Sequence, residues 1–324
     1  MCDAHPVDQI AENLFLGDKK AATDLELIGR LKLTHIVTAE LIPLPHSVSS
    51  TFPHLAILHV AFPDVPEADL LTHLEQTTHF IREGVEYGAV LVHCYHGVSR
   101  SAAIVAAFLM RTRHWTLDKA LALIRRARPA IGPNDGFLRQ LALYKRMQCR
   151  LDVHDKAYKL YKLQCVSNQV KTTKILPHEF YQPSGVVETA HGPSSTTATS
   201  GSPMTYHTRF KCKKCRQTLG SQINVLPHER GQTLDWNTLG LQDESELREC
   251  QQGVFFEPLM WMGKIFSTTL SEKLHCNKCL YKLGSYSWVG TVQCACGGGT
   301  TPGFLLNLNR VDRCTMLKVV EADL

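Results

Sequence analysis

Apolar positions in the first 150 residues switch between two spacings. Ile10–Leu16, Leu33–Ala39 and His54–Phe62 are short apolar runs of strand length, and Ala89-Val90-Leu91-Val92 is an unbroken run that suits a buried strand. Between them lie segments with helical character: Ala21–Gly29, Leu70–Glu86, Ser101–Arg113, Leu117–Arg128 (stopped by Pro129) and Phe137–Met147, with Asn134 or Asp135 as its cap. Strands alternating with helices predict an α/β domain over residues 1–150. Residues 151–180 mix Lys156, Lys159, Lys162, Lys171 and Lys174 with Tyr158, Leu160, Tyr161 and Leu163. They read as a basic connecting helix, either simply solvated or offering a docking surface to an acidic partner or RNA. Residues 181–208 turn to Pro, Gly, Ser and Thr, a composition that buries little and predicts a flexible linker. Residues 209–324 form a second, cysteine-rich unit.

Composition narrows the classes. The 324 residues are 44% apolar and suit two folded domains, with no apolar run long enough to cross a bilayer. Met1-Cys2-Asp3-Ala4 offers neither a secretory signal nor a myristoylation glycine. A formal charge of +5 is compatible with an RNA or phosphoprotein partner and demands neither. Twelve cysteines in a chain without a secretory signal point to metal binding and a reactive thiol before disulfides.

The reactive thiol is expected where the apolar strand ends, at His93-Cys94-Tyr95-His96-Gly97-Val98-Ser99-Arg100-Ser101. A tight loop between a buried strand and a helix N-terminus gathers the amides of Tyr95, His96, Gly97, Val98, Ser99 and Arg100 around one point, with the helix dipole aimed at it. That cradle suits a phosphate, and its field favours the thiolate of Cys94. Arg100 is a bidentate clamp for phosphate oxygens, and Gly97 lets the backbone approach them closely. The departing group needs a proton. Asp64, in the proline-punctuated loop after the third strand, is the favoured donor over Asp69, which stands where a helix cap is needed.

His-Cys-x5-Arg-Ser resembles the active-site loop of cysteine-dependent protein tyrosine phosphatases, and Gly97-Val98-Ser99-Arg100-Ser101 resembles their dual-specificity branch. Glu12-Asn13-Leu14-Phe15-Leu16-Gly17 and Asn134-Asp135-Gly136-Phe137 fit the same branch. The resemblance implies a protein tyrosine phosphatase-like domain with a central, mostly parallel sheet flanked by helices. It also implies a phosphocysteine intermediate on Cys94, no metal in the phosphatase chemistry, and an acid supplied by the loop of Asp64. In it, His93 fixes the cysteine without acting as the base, and Ser101 assists hydrolysis of the intermediate. His96 departs from the small residue common at that place, and either points outward or crowds the mouth. The loop has no lysine, which argues against a phosphoinositide substrate; RNA 5′ ends and glycans stay open as weaker choices.

In the second unit, Cys212-Lys213-Lys214-Cys215 and Cys276-Asn277-Lys278-Cys279 are C-x2-C knuckles, and Cys294-Ala295-Cys296 is a C-x-C. Each knuckle turns two sulfurs to one point, so structural Zn2+ is expected. Pairing the two knuckles resembles a zinc ribbon and leaves His228, Cys250, Cys294 and Cys296 for a second ion. Trp261, Tyr281, Tyr286, Trp288 and Phe304 are the expected interior of a small β-rich module. The two-domain order, with Leu283-Gly284-Ser285 and Asn309-Arg310-Val311-Asp312, resembles the dual specificity protein phosphatase 12 family. That resemblance implies residence in nucleus and cytoplasm and a role in large ribosomal subunit maturation, with the zinc domain engaging protein and rRNA of the precursor particle. Two functions follow: an enzyme acting on phosphoserine, phosphothreonine and phosphotyrosine in protein substrates, and a zinc-dependent assembly factor in which catalysis is dispensable.

Overall fold

A computed structural model describes residues 6–175, 205–238, 249–263 and 269–318. The chain divides into two compact units, Met1–Val153 and His154–Leu324.

The first unit opens with β1 (Val7–Ala11) and β2 (Leu14–Gly17), an antiparallel hairpin. The single strand expected over Ile10–Leu16 is split because Glu12-Asn13 makes the turn, Asn13 sitting at φ 58°. The helical stretch expected over Ala21–Gly29 is likewise two short helices, α1 (Lys19–Thr23) and α2 (Leu25–Arg30). Asp24 ends the first in extended backbone and accepts from the Leu27 amide to start the second. Then follow β3 (Leu33–Ala39), α3 (His46–Thr51), β4 (Ala56–Val60), α4 (Leu74–Tyr87), β5 (Ala89–His93), α5 (Arg100–Arg113), α6 (Leu117–Ala127) and α7 (Asp135–Arg146). The sheet order is β1-β2-β5-β3-β4, with β2, β5, β3 and β4 mutually parallel. The fold is therefore α/β with a mostly parallel sheet. Every residue of β5 is buried, as a central parallel strand requires.

In helix α5, Arg100 through Met110 are all buried. The helix packs on β5 and also against α4, α6 and α7, and Ala102, Ala103, Ala106 and Ala107 permit that approach on several sides.

The second unit begins with α8 (Lys156–Thr173), which corrects the expectation of a solvated connecting helix. Tyr158, Leu160, Tyr161, Leu163, Val166 and Val170 place apolar groups all round it, and such a helix is stable only when surrounded. Lys159 is buried as well, donating to Glu257 Oε1 at 3.1 Å and to the Ile223 carbonyl at 2.6 Å. Residues 176–204, most of the expected linker, lie outside the described residues. Its last four residues belong to a strand, β6 (Thr205–Cys212), so the linker ends earlier than expected.

The strands that follow are β7 (Thr218–Ser221), β8 (Val225–Leu226), β9 (Thr233–Leu234), β10 (Gly253–Phe256), β11 (Ser271–His275), β12 (Lys282–Ser287), β13 (Val292–Gln293), β14 (Gly299–Thr300), β15 (Gly303–Asn307) and β16 (Val311–Lys318). They form sheets in the orders β11-β12-β15-β10-β8, β16-β6-β7 and β13-β14-β9. Tyr286, Trp288 and Phe304 are core, Trp288 meeting Phe304 edge-on at 4.8 Å. Trp261 and Tyr281 are only half-buried, because each has a polar partner at the margin. The Trp261 indole donates to the Leu219 carbonyl, and Tyr281 lies under Arg310. Phe210, Phe255 and Phe256 complete the interior.

Candidate active site and metal centres

The thiol stands where β5 ends. Cys94 is 1% exposed, and its sulfur accepts from Ser101 Oγ at 3.2 Å. The carbonyls of the next four residues turn outward to partners outside the loop. Tyr95 O accepts from the Lys19 amide, His96 O and Gly97 O from the Arg128 guanidinium, and Val98 O from the Gly132 amide. In a trans peptide the following N–H points the opposite way, so the amides of His96, Gly97, Val98 and Ser99 face the concave side. This is an anion cradle at the N-terminus of α5. Gly97 has φ +66°, and a Cβ there would lie 2.6 Å from the Gly17 carbonyl oxygen. Only glycine suits that place.

Arg128 holds the cradle's back. It is 4% exposed, and Nη1 pairs with Asp8 Oδ2 at 2.7 Å while Nε donates to Gly97 O at 2.9 Å. Its place before Pro129 marked a helix end and gave no sign of these contacts, both of which cross more than thirty residues. Arg100, 8% exposed, donates from Nη1 to the Phe62 carbonyl at 3.3 Å and brings Nε within 3.7 Å of Asp64 Oδ2. The guanidinium thus lies at the cradle beside the acid loop.

Asp64 Oδ1 accepts from Ser99 Oγ at 2.6 Å and from Asn134 Nδ2 at 2.9 Å. Asn134 also caps α7 through its side chain to the Phe137 amide. Asp69 accepts from the Thr72 amide and hydroxyl, which makes it a cap for the turn before α4. The structure therefore brings Asp64, not Asp69, to the cradle. A Cβ on Gly136 would overlap the Pro66 carbonyl oxygen, so the acid loop lies directly against the start of α7.

His93 is fully buried, its Nε2 3.0 Å from Thr38 Oγ1, and burial lowers its pKa to about 4. It is neutral in the folded protein at pH 7. The unfolded chain takes up this proton below about 6.5, so the stabilisation is complete above that pH and drains away as pH falls toward 4. We expect roughly 3 kcal/mol to be lost across the window, and His93→Asn to flatten the denaturation midpoint of the first unit between pH 4.5 and 7. His96 is exposed and packs edge-on against Tyr95 at 4.7 Å, so it points outward. A cavity of about 830 Å³ opens at the far end of α5, among Arg82, Arg111 and Arg113, away from this chemistry.

The second unit brings its candidate ligands into two sets, Cys212, Cys215, Cys276 and Cys279, and His228, Cys250, Cys294 and Cys296. Within each, the donor atoms lie within 4.8 Å of one another. Neighbouring donors are 3.8 Å apart for Cys212–Cys279, 3.6 Å for Cys215–Cys276, 3.8 Å for Cys250–Cys294 and 3.4 Å for Cys296–His228. A tetrahedron with zinc–sulfur bonds of about 2.3 Å has edges of about 3.8 Å, so the donors fit a bound ion. In the first knuckle Arg216 sits at φ 63° and donates its amide to Cys212 O; in the second, Leu280 at φ 56° donates to Cys276 O. Burial pushes the Cys276 and Cys294 thiols up to about 12, so a cation must displace their protons to bind. Burial lowers the pKa of His228, keeping a neutral imidazole ready to ligate. Both sets can hold a metal ion, and thiolate-rich tetrahedra are consistent with zinc.

Residues 14–147 match the family described as dual specificity phosphatase, catalytic domain. The chain is 31% identical over 359 residues to the dual specificity protein phosphatase MPK-4 of Drosophila melanogaster, covering 97% of this chain and 89% of that one. It is 33% identical over 322 residues to dual specificity protein phosphatase 12 of Mus musculus, covering 96% and 90% respectively. Among solved structures, the Yvh1 phosphatase domain from Chaetomium thermophilum is 30% identical, with a TM-score of 0.42, covering 45% of this chain and 99% of that one. A cradle built for a phosphate beside a buried thiol, and relatives aligned along nearly their whole length, lead to one conclusion: the chain belongs to the dual specificity protein phosphatase 12 family and is a protein phosphatase.

Proposed function

We propose that the first unit hydrolyses phosphoserine, phosphothreonine and phosphotyrosine in proteins through a phosphocysteine intermediate. The observation that carries this is the cradle in which Cys94 Sγ, the inward amides and Arg100 converge beside Asp64. Phosphate oxygens bind the amides of the cradle and the Arg100 guanidinium. Cys94 attacks phosphorus, the bond to the leaving oxygen breaks, and Asp64 gives that oxygen its proton. Water, relieved of a proton by Asp64, then attacks the phosphocysteine, and Ser101 donates to the departing sulfur. Ser99 and Asn134 hold the Asp64 carboxyl in place.

The test is a split by leaving group. Asp64→Asn should slow turnover roughly 10²- to 10⁴-fold on an alkyl phosphate such as phosphoserine peptide and much less on p-nitrophenyl phosphate, whose leaving group needs no proton. Gly136→Ala, by pushing on Pro66, should show the same pattern in weaker form. Equal losses on both substrates would remove Asp64 from the acid's role.

The second unit we read as a structural module holding two Zn2+ ions, which engages the precursor of the large ribosomal subunit in nucleus and cytoplasm. Support comes from the resemblance of both halves to the family and from two donor sets that fit tetrahedral ions. Co-sedimentation of the full chain with precursor particles separates this from a purely enzymatic role. Cys94→Ser should co-sediment, whereas Cys276→Ser should not. Retention of Cys276→Ser on the particles would refute the docking role.

A further inference from the structure

Among the described residues of the first unit, seven large apolar side chains are exposed: Leu25, Leu41, Ile42, Val65, Tyr87, Tyr95 and Val153. Four of them sit on one edge. β5, β3 and β4 run parallel, so the segments that leave them emerge at the same end of the sheet, where ligands of open α/β sheets bind. Tyr95 follows β5, Leu41 and Ile42 follow β3, and Val65 follows β4, with exposures of 54%, 61%, 66% and 41%. Thr38 pairs with His93, so the β3 and β5 segments depart from neighbouring strands about 5 Å apart. The segment after β4 folds back over the cradle, where Asp64 accepts from Ser99, and so carries Val65 to its margin. These positions are held. His59 Nε2 donates to the Glu40 carbonyl at 2.8 Å, fixing the start of the Leu41-Ile42 segment, and the Lys19 ammonium lies 5.8 Å from the centre of the Tyr95 ring.

Adjacent exposed aliphatic residues are unfavourable in water unless something covers them. Here the occupant follows from continuity with the phosphate site. A phosphorylated residue seated over Cys94 brings its chain neighbours across this margin, so the same molecule must occupy both. We propose that Leu41, Ile42, Val65 and Tyr95 form an apolar rim that selects phosphoprotein segments carrying large aliphatic or aromatic residues beside the phosphorylated one. This rests on the phosphatase reading and adds the class of sequence that the site prefers.

The test uses the full chain and two phosphopeptides that differ only in the flanking residues, leucine in one and aspartate in the other. The unaltered protein should favour the leucine-flanked peptide about tenfold in kcat/KM, and Leu41→Ser with Ile42→Ser should bring that ratio close to one. Both residues are exposed, so folding is unaffected. An unaltered protein without preference, or a ratio that the double substitution leaves unchanged, overturns the rim while the phosphatase reading stands. Hydrolysis of neither peptide overturns both. A concentration-dependent dimer that the double substitution abolishes, with the ratio unchanged, assigns the rim to a second copy of the chain and overturns the proposal.

Discussion

Cys94→Ser should lose at least about 10⁴-fold in phosphate release, read in a single turnover so that no later step masks the loss. Serine can keep the hydrogen bond from Ser101 but puts a much weaker nucleophile in place of the sulfur. The cradle should survive, because Arg128, Lys19 and Gly132 hold its carbonyls without using the sulfur. Binding of inorganic phosphate or vanadate should therefore persist in the variant. Undiminished phosphate release would rule out covalent catalysis at this residue.

Removing metal should have an equally large effect, on folding and in one unit alone. A four-donor structural zinc site contributes on the order of 10–16 kcal/mol in small finger peptides, more than the net stability of an ordinary domain. Chelation, or Cys215→Ser in the first donor set, should melt the β signal of the second unit. The first unit takes no residue from either set, so hydrolysis of p-nitrophenyl phosphate should continue after chelation. Loss of that activity in step with the metal would show that the first unit depends on the ions. Rebinding should release protons, because cysteines coordinate a metal ion as thiolates.

Much of the chemistry was legible because it is local. Strand, cysteine, glycine, arginine and helix stand within about a dozen residues, and the knuckles carry their spacing with them. The two donor sets were reachable by elimination once the knuckles had been paired. Long-range support left no such mark. Arg128 and Asn134 serve the cradle and Asp64 across more than thirty residues, and nothing along the chain assigned either of them that contact. Of the two candidates for the acid, Asp64 and Asp69, the contacts show which carboxylate lies at the cradle: Ser99 reaches Asp64, and the Thr72 amide claims Asp69. Helix α8 failed for a different reason. Its lysines suggested water, but apolar residues on every side of the cylinder meant burial, and one lysine had a carboxylate waiting 98 residues away.

That pairing fixes where the chain can be divided. Lys159 comes before the Ser- and Thr-rich stretch and Glu257 after it, and Asn224 also donates to the Glu257 carboxylate at 2.9 Å. A fragment starting at residue 205 would leave this anion sealed away from water without its cation, a cost of about 3–5 kcal/mol when one partner of such a pair is deleted. The natural seam lies near Val153 instead, and the low-complexity stretch falls within the second unit.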